Sequence, residues 1–208
     1  MIENIFILIV LVFSIMLHEV AHGYMAYSLG DPTAKYENRL NFNPLNHIDP
    51  IGSILLPLFL FLSNAGIMFG WAKPVPINPY NFKDQKYGGA KVAAAGPLSN
   101  FAVALFFGLL IRLLILFPFY GADKISYLLG YIVLVNLSLM VFNLVPIPPL
   151  DGHHILFALL PPNAGEIKNF LVRYQYILLL AFIFFFSWIL SPVIYFLFRI
   201  VTGAYFFH

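Results

Sequence analysis

The sequence contains no cysteine and few charged residues, and each absence narrows the chemistry available to it. Without cysteine, the 208-residue chain has no disulfide, no thiolate metal site and no cysteine nucleophile, so a bound metal must use histidine, aspartate or glutamate. Charged residues make up 10% of the chain, and the net charge of +2 is too small to indicate nucleic-acid binding. The sequence also has no phosphate loop, no G-x-S-x-G motif and no internal repeat.

Apolar residues dominate what is present. Hydrophobic residues make up 61% of the chain and aromatic residues 18%, and the mean hydropathy is +0.87. These values are typical of an integral membrane protein and leave no room for a separate aqueous domain. The sequence predicts one all-α polytopic membrane domain over residues 1–208, with about four to six transmembrane helices, a core at about 1–155 and C-terminal helices at about 170–206.

The first apolar run predicts a helix from about Ile2 to Ser28, which ends where Gly30 and Pro32 supply a stop signal. At about 1.5 Å per residue, this helix is long enough to cross the hydrocarbon layer. No lysine or arginine precedes the apolar residues at 5–17, so we expect a permanent helix rather than a secretory signal peptide.

Later apolar runs predict helices at about 92–117 and 127–146. The stretch at about 174–206 is either one span followed by an interfacial segment or two helices broken at Ser191-Pro192. Residues 51–69 are apolar but carry Gly52 and Pro57, and their continuous apolar core is short for a span. The metal site discussed below requires that 51–69 be re-entrant or that an extended segment at 70–90 come back across inside the protein.

Three ionisable residues lie within five positions of the first predicted helix: His18, Glu19 and His22. Positions i and i+4 of a helix share one face, so the two imidazoles can hold one metal ion, and Glu19 is placed to take a proton from a water on it. This is the H-E-x-x-H pattern of zinc metalloproteases. The alternative, that these residues sit at an interfacial helix end, is weaker because ionisable groups in spans are rare and usually functional.

A second polar group follows a proline-rich stretch, Asn143-Leu144-Val145-Pro146-Ile147-Pro148-Pro149-Leu150-Asp151-Gly152. Three prolines in four residues end the preceding helix and leave irregular backbone, which is tolerated at membrane depth only inside protein or beside a wet cavity. Asp151 is then a candidate third ligand, since a catalytic zinc site normally uses three protein ligands. By itself, Asp-Gly after prolines reads as an ordinary surface turn.

Together, HEVAH at 18–22 and NLVPIPPLDG at 143–152 resemble the site-2 protease family, zinc metalloproteases that cut substrates within the membrane. The stretches at 95–100 (AGPLSN) and 70–76 (GWAKPVP) resemble further parts of compact bacterial and archaeal members that lack PDZ and CBS domains. The resemblance covers roughly residues 14–155.

The resemblance implies that His18, His22 and Asp151 bind one zinc ion and that Glu19 is the catalytic base. Zinc would then lower the pKa of its water to about 7 and polarise the peptide carbonyl. His153 and His154, which follow where many relatives have a second small residue, receive no role.

The charge distribution indicates an orientation. For Asp151 to reach the two histidines, the C-terminal ends of the first and 127–146 helices must share one membrane face. That face then collects most of the basic residues, while the opposite face has Lys124 and Arg112. By the positive-inside rule we expect the N-terminus outside and the site toward the cytoplasm.

Two weaker site predictions concern substrate contacts. Asn100 or Asn143 could supply an N–H to the oxyanion, although a helix–helix hydrogen bond is an equal alternative for each. In the proline-rich segment at 70–79, the amides of Lys73, Val75 and Ile77 could pair with an unwound substrate by strand addition. A rigid loop without a partner explains this segment about as well.

Three functions of different class therefore remain. The favoured one is an intramembrane zinc endopeptidase whose partners are the lipid bilayer and a transmembrane or signal-anchor substrate. A divalent-metal transporter would not need Glu19 directly after His18 and would more often show paired half-helix repeats. A non-catalytic scaffold that binds membrane helices would be expected to have lost a member of the motif.

Overall fold

The computed structural model describes residues 2–43, 46–47, 49–56, 59, 62–63, 73–161 and 163–204. The α-helices are α1 (Ile2–Ser28), α2 (Thr33–Tyr36), α3 (Gly88–Leu116), α4 (Ala122–Asn143), α5 (Gly152–Leu159), α6 (Gly165–Arg173), α7 (Gln175–Ala181) and α8 (Leu190–Thr202). Shorter π- or 3₁₀-helical segments are Pro50–Leu55, Pro79–Asn81, Phe182–Phe186 and Ser187–Ile189. These residues contain no β-strand.

Three helices are long and apolar enough to cross a membrane: Glu3–Ser28, Gly88–Leu116 and Ala122–Asn143. A fourth span results if Gly165–Arg173 and Gln175–Phe185, which are bent by 70° at their junction, are counted together. The predicted all-α polytopic membrane fold is confirmed, and the number of spans in the described part of the chain reaches the predicted range of four to six only at its lower limit.

Helix boundaries follow local backbone chemistry. α1 has the predicted bounds. α3 begins four residues earlier than predicted, after a turn in which Asp84 Oδ1 accepts the Tyr87 N–H and Asp84 O accepts the Gly88 N–H. α4 ends at Asn143 rather than 146, since the residue before a proline is disfavoured in the α conformation.

The C-terminal apolar stretch is broken earlier than Ser191-Pro192. The irregular segments Phe182–Phe186 and Ser187–Ile189 separate α7 from α8. Pro192 instead lies in the first turn of α8, where its missing N–H removes no intrahelical hydrogen bond.

α3 is the central helix and packs against α1, α4, α5 and α8. Lys83 N–H donates to Leu29 O (2.8 Å), so α3 begins beside the end of α1. Tyr127 OH donates to Glu3 Oε1 (3.1 Å), so α4 begins beside the start of α1. The C-terminal ends of α1 and α4 therefore share one end of the bundle, as the metal-site prediction requires.

The bundle interior divides into two halves along the helix axes. The polar half contains the buried side chains of Ser14, His18, His22, Asn100 and Asn136, and the buried Asp31, Arg39 and His47 lie in the loops beside it. The apolar half is built from Ala104, Ile111, Val133, Leu137, Phe198 and Val201. α1, α3 and α4 together supply most of the polar half, and α3, α4 and α8 supply the apolar half.

The predicted re-entrant or extended segment is only partly described. It begins with Pro50–Leu55, whose first turn is capped by Asp49 through Ile51 N and Gly52 N at 3.0 and 2.7 Å. Residues 57–58, 60–61 and 64–72 lie outside the described residues, so the prediction for 51–72 stays a prediction. Residues 73–78 form neither helix nor strand.

Candidate metal centre

The three predicted zinc ligands come together in the polar half. His18 and His22 occupy one face of α1, with ring centroids 4.6 Å apart, and both are buried. The turn after α4 brings Asp151 to them: its Oδ2 lies 3.0 Å from His18 Nε2 and its Oδ1 lies 3.4 Å from His22 Nε2. Tetrahedral zinc ligands at about 2.0–2.1 Å from the ion are roughly 3.3 Å from one another. The spacing therefore fits one zinc ion.

The hydrogen bonds of the two imidazoles also fit a metal. His18 Nδ1 donates to Asn100 Oδ1 (2.6 Å), and His22 Nδ1 donates to Val92 O (2.7 Å). In the neutral tautomer with the proton on Nδ1, each ring directs an Nε2 lone pair toward the Asp151 carboxylate, and a cation between these atoms would satisfy all three. Orientation of metal-binding histidines by acceptors on the other ring nitrogen is the usual arrangement in proteins.

Gly96 leaves the space that an ion at this position requires. A Cβ added to Gly96 would lie 2.5 Å from both His18 Nε2 and His22 Nε2. The α3 backbone therefore passes directly beside the ligand atoms, and any side chain at this position would occupy the centre.

Asn100 orients His18 through a network that the sequence patterns did not reveal. Its Nδ2 donates to Ser14 O (3.2 Å) and Asn136 Oδ1 (3.0 Å), and Asn136 Nδ2 donates to Ser14 Oγ (2.9 Å). Both asparagines are fully buried. The sequence signal for Asn136 was an amide within a predicted span, where polar residues are rare. Because both Asn100 amide protons are used, the side chain has no donor left for an oxyanion.

Asn143, the other predicted oxyanion donor, bonds within its own helix. Its Nδ2 donates to Leu139 O at 3.0 Å. This bond is internal to α4 and is not the helix–helix contact given as the alternative, and the contact of Asn143 with an oxyanion stays a prediction.

Glu19 lies beside the centre without taking the ligand position of Asp151. A carboxylate oxygen of Glu19 and a nitrogen of each histidine lie within 4.8 Å of one another. Glu19 Oε2 accepts the Val75 backbone N–H at 2.9 Å. The Val75 N–H thereby holds one carboxylate oxygen of Glu19, and Asp151 makes the shorter approach to the imidazoles. The roles of Asp151 as ligand and Glu19 as base stay predictions.

The predicted substrate-pairing amides are largely used inside the protein. Lys73 N–H donates to His47 O (2.9 Å), and Val75 N–H donates to Glu19. An incoming strand could bond to these amides only after the internal bonds broke. The prediction for Lys73 and Val75 therefore finds no support in these contacts, whereas Ile77 lines a cavity at the centre.

This cavity has a volume of about 250 Å³ and reaches the candidate ligands. Most of its wall is apolar, and its lining residues are His22, Ile77, Pro79, Phe82, Gly89, Val92, Ala93, Asp151 and His154. His154, which received no role from the sequence, is thus the polar lining residue besides the two ligands. His153 turns away and bonds Leu150 O through Nδ1 (2.6 Å).

Asp31 fixes the loops that follow α1. It is fully buried and accepts hydrogen bonds from Thr33 N and Oγ1, Asn78 N and Asn81 Nδ2 at 2.5–3.1 Å. Burial alone would raise the pKa of Asp31, but these donors outweigh it and lower the pKa below its usual value. Asp31 is therefore ionised at neutral pH and ties the segment at 78–81 to the end of α1.

His47 is a second buried group in these loops. Burial is the largest cause that lowers the pKa of His47, and the Arg39 charge lowers it further, so the imidazole is neutral at neutral pH. Its Nε2 donates to Asn41 O at 2.9 Å.

Comparison with known proteins identifies the family of this chain. The "Putative zinc metalloprotease YwhC" of Bacillus subtilis is 38% identical over 183 residues, which cover 85% of this chain and 78% of the relative. The profile "Peptidase family M50" matches residues 119–185. The chain belongs to this family. The predicted resemblance to site-2 proteases is thereby confirmed.

Two less similar relatives are also named as zinc metalloproteases. The "Putative zinc metalloprotease Rip2" of Mycobacterium tuberculosis is 29% identical over 176 residues, which span 81% of this chain and 64% of the relative. The "Zinc metalloprotease MJ0392" of Methanocaldococcus jannaschii is 30% identical over 165 residues, which span 78% of this chain and 37% of the relative. No solved structure gives a significant match. Membership of M50 makes this membrane protein a zinc metalloendopeptidase.

Proposed function

We propose that this M50 peptidase hydrolyses peptide bonds of transmembrane or signal-anchor proteins within or near the bilayer. The observation that carries the proposal is the position of the metal centre. His18 and His22 lie on an apolar helix long enough to span a membrane, and the Asp151 carboxylate meets them inside the bundle. A soluble peptide would have to leave water to reach this centre, whereas a membrane segment is already at this depth.

The cavity beside the centre supports an apolar substrate. Its volume of about 250 Å³ accommodates one or two side chains, and Ile77, Phe82 and Val92 contribute to its apolar wall. Residues that flank a cleavage site within a membrane segment are themselves mostly apolar. The cavity therefore suits the side chains of such a substrate better than those of a charged peptide.

The residues of the chain divide the chemical work among them. One zinc ion bound by His18, His22 and Asp151 would act as a Lewis acid on a water molecule and on the peptide carbonyl. Glu19 takes a proton from the attacking water on its carboxylate and returns it to the nitrogen of the leaving amine. Asn100 and Val92 O keep both imidazoles in the tautomer that binds a cation.

The deciding experiment replaces Glu19 with Gln and measures cleavage of a transmembrane reporter by purified, zinc-loaded protein. Glu19→Gln keeps the Val75 N–H contact through the amide oxygen but removes the base. We expect kcat to fall about 10²–10⁴-fold while zinc content stays parental. Retained cleavage would remove Glu19 from this role, and a parent protein that binds zinc but cuts no membrane reporter would remove the proposed substrate class.

We also propose that the metal centre lies toward the cytoplasm. Lys35, Lys83, Lys86 and Lys91 lie at its end of the bundle, in α2, in the loop before α3 and in the first turn of α3, and the positive-inside rule places this end inside. Because the chain lacks cysteine, single-cysteine labelling tests the orientation directly. In intact cells, an impermeant maleimide should modify a Tyr120→Cys variant and spare a Tyr80→Cys variant; both tyrosines are at least 90% exposed, at opposite ends of the bundle. The reverse labelling pattern would invert the orientation.

A further inference from the structure

A short chain of contacts leads from Arg39 to the Glu19 carboxylate. Arg39 is 5% exposed, and its Nη2 donates to Lys73 O (2.7 Å) and approaches Pro74 O (3.3 Å). The next backbone N–H along the chain, that of Val75, donates to Glu19 Oε2 (2.9 Å). The guanidinium thus holds the two carbonyls that immediately precede the group bound to Glu19.

The same backbone is fixed from its other side. Lys73 N–H donates to His47 O (2.9 Å), and His47, which is 1% exposed, is anchored through Nε2 to Asn41 O (2.9 Å). Pro74 has a fixed φ and no N–H of its own. Lys73 and Pro74 therefore have little freedom, and the direction of the Val75 N–H follows from them.

The loop after α2 delivers Arg39 to this position. Asn38 adopts a left-handed conformation (φ 52°), and Arg39 N–H returns to Ala34 O (2.8 Å). On α1, Gly23 leaves the surface open for the approach: a Cβ there would lie 2.6 Å from Leu40 Cδ2 and 2.9 Å from Val75 Cγ1. The absence of a side chain at Gly23 lets both the loop and Val75 reach α1 one turn beyond Glu19.

The stability of the fold does not by itself explain why the Arg39 side chain is buried. Among the residues that the structure describes, its guanidinium makes no ion pair, and its buried Nε has no hydrogen-bond partner. A buried cation held by carbonyls, with one donor unused, carries a desolvation penalty that an apolar residue would avoid. Buried groups that cost stability in this way occur mainly at functional sites.

We propose that Arg39 is a positioning residue for Glu19: it fixes the backbone of Lys73 and Pro74 so that the Val75 N–H holds the Glu19 carboxylate beside the metal centre. This inference rests on the proposed function, in which Glu19 is the general base. Arg39 touches neither the candidate ligands nor the cavity wall. Its loss should therefore affect the proton transfer and leave zinc binding and substrate binding unchanged.

The test compares Arg39→Gln and Arg39→Lys with Arg173→Gln, a matched substitution on the exposed surface of α6. For Arg39→Gln we expect kcat to fall about 10- to 100-fold, the usual cost of losing an outer hydrogen-bond partner at a metal site, with parental KM and zinc content. Arg39→Lys keeps the charge and one donor and should recover part of kcat. Hydrogen exchange in residues 73–77 should accelerate in Arg39→Gln, and Arg173→Gln should match the parent in every measurement.

Val75→Pro tests the same step without removing a buried charge, because it deletes the N–H itself. It should reproduce the fall in kcat at parental zinc content. In a Glu19→Gln background, Arg39→Gln should cause no further loss of residual activity, since residues that act through one group are not additive.

The outcomes separate the two proposals. If Glu19→Gln is inactive but Arg39→Gln and Val75→Pro keep parental kcat, the positioning role is wrong and the proposed function stands. If Glu19→Gln cleaves at the parental rate, Glu19 is not the general base, and both the proposed mechanism and the positioning role of Arg39 are wrong. Should Arg39→Gln lose zinc or fail to fold, Val75→Pro decides: lowered kcat supports the role of the Val75 N–H, and parental kcat overturns it.

Discussion

The polar and apolar halves of the bundle use the same helices for different purposes. In the first half of α3, Gly96 and Asn100 face ligands and buried amides, whereas Ala104 and Ile111 in the second half face other apolar side chains. The change occurs within about one helical turn. A single helix can therefore build both a reactive centre and a packed core, provided that its polar groups all find partners.

The two halves also differ in what holds them together. Contacts in the polar half are specific and directional, as between Asn100, Asn136 and Ser14. In the apolar half, Val201 packs against Gly108 so closely that a Cβ on Gly108 would clash with it. Buried polar groups are expensive in a membrane, so the polar half is better explained by function and the apolar half by stability. Substitutions in the two halves should then separate zinc binding from folding.

The largest effect is expected for Asp151→Ala. It leaves two protein ligands where a catalytic zinc normally has three, so zinc affinity should fall by more than the roughly 10–100-fold cost of losing an outer partner, and cleavage should be lost. Zinc content by mass spectrometry and reporter cleavage measure this. Asp123→Ala, an exposed acidic position at the start of α4, serves as the control. Parental zinc content in Asp151→Ala would show that Asp151 is not a zinc ligand.

Gly96→Ala should come next. Its Cβ would lie 2.5 Å from Nε2 of His18 and of His22, so the imidazoles must move and zinc should be lost or greatly weakened. Gly89→Ala on the same helix meets no atom within 4 Å and should retain the parental zinc content. Equal zinc content in the two variants would show that the centre does not lie against α3.

Asn100→Leu should have a smaller effect on zinc. His18 keeps its ligand nitrogen but loses the acceptor that fixes its tautomer, which should reduce zinc affinity by about 10–100-fold. A competitive chelator titration measures the change. Asn163→Leu, at an exposed position, is the matched control. An unchanged zinc affinity in Asn100→Leu would assign the buried amide network to helix packing alone.

The smallest effect on the centre is expected in the apolar half. Ile111→Ala removes a buried side chain and should lower the free energy of unfolding by about 2–5 kcal/mol, with kcat and zinc content per folded molecule unchanged. Ile115→Ala, at a residue 52% exposed on the same helix, should alter stability much less. Loss of zinc in folded Ile111→Ala would mean that the two halves are coupled.

Sequence patterns predicted part of this organisation well, because they depend on local rules. The i, i+4 spacing places His18 and His22 on one face of any helix, and apolar length alone predicts that α1 spans a membrane. The prolines after Asn143 correctly predicted irregular backbone before Asp151. The boundaries of α3 and α4 were less accurate, since the Asp84 turn before α3 and the prolines after α4 shift them by a few residues.

Contacts between distant segments were not predictable in this way. Nothing in the local pattern distinguishes Arg39 from another loop cation or Gly96 from another helical glycine. Asn100 had been assigned as a possible oxyanion donor, yet its neighbours across the helix interface use both of its amide protons. The amides of Lys73 and Val75 were treated as free because their acceptors, His47 O and Glu19, lie 26 and 56 positions away in the chain.

The sequence by itself determined the class of this protein, its longest helices and the residue types that can bind zinc, because composition, hydrophobic length and helical spacing act locally. Only the tertiary structure decided which atoms meet. Packing of α3 between α1 and α4 brings Asp151 within 3.4 Å of the two imidazoles, 133 positions from His18 along the chain, and the loops after α1 place a backbone N–H on Glu19. Such encounters depend on how helices pack together, which no short stretch of sequence specifies.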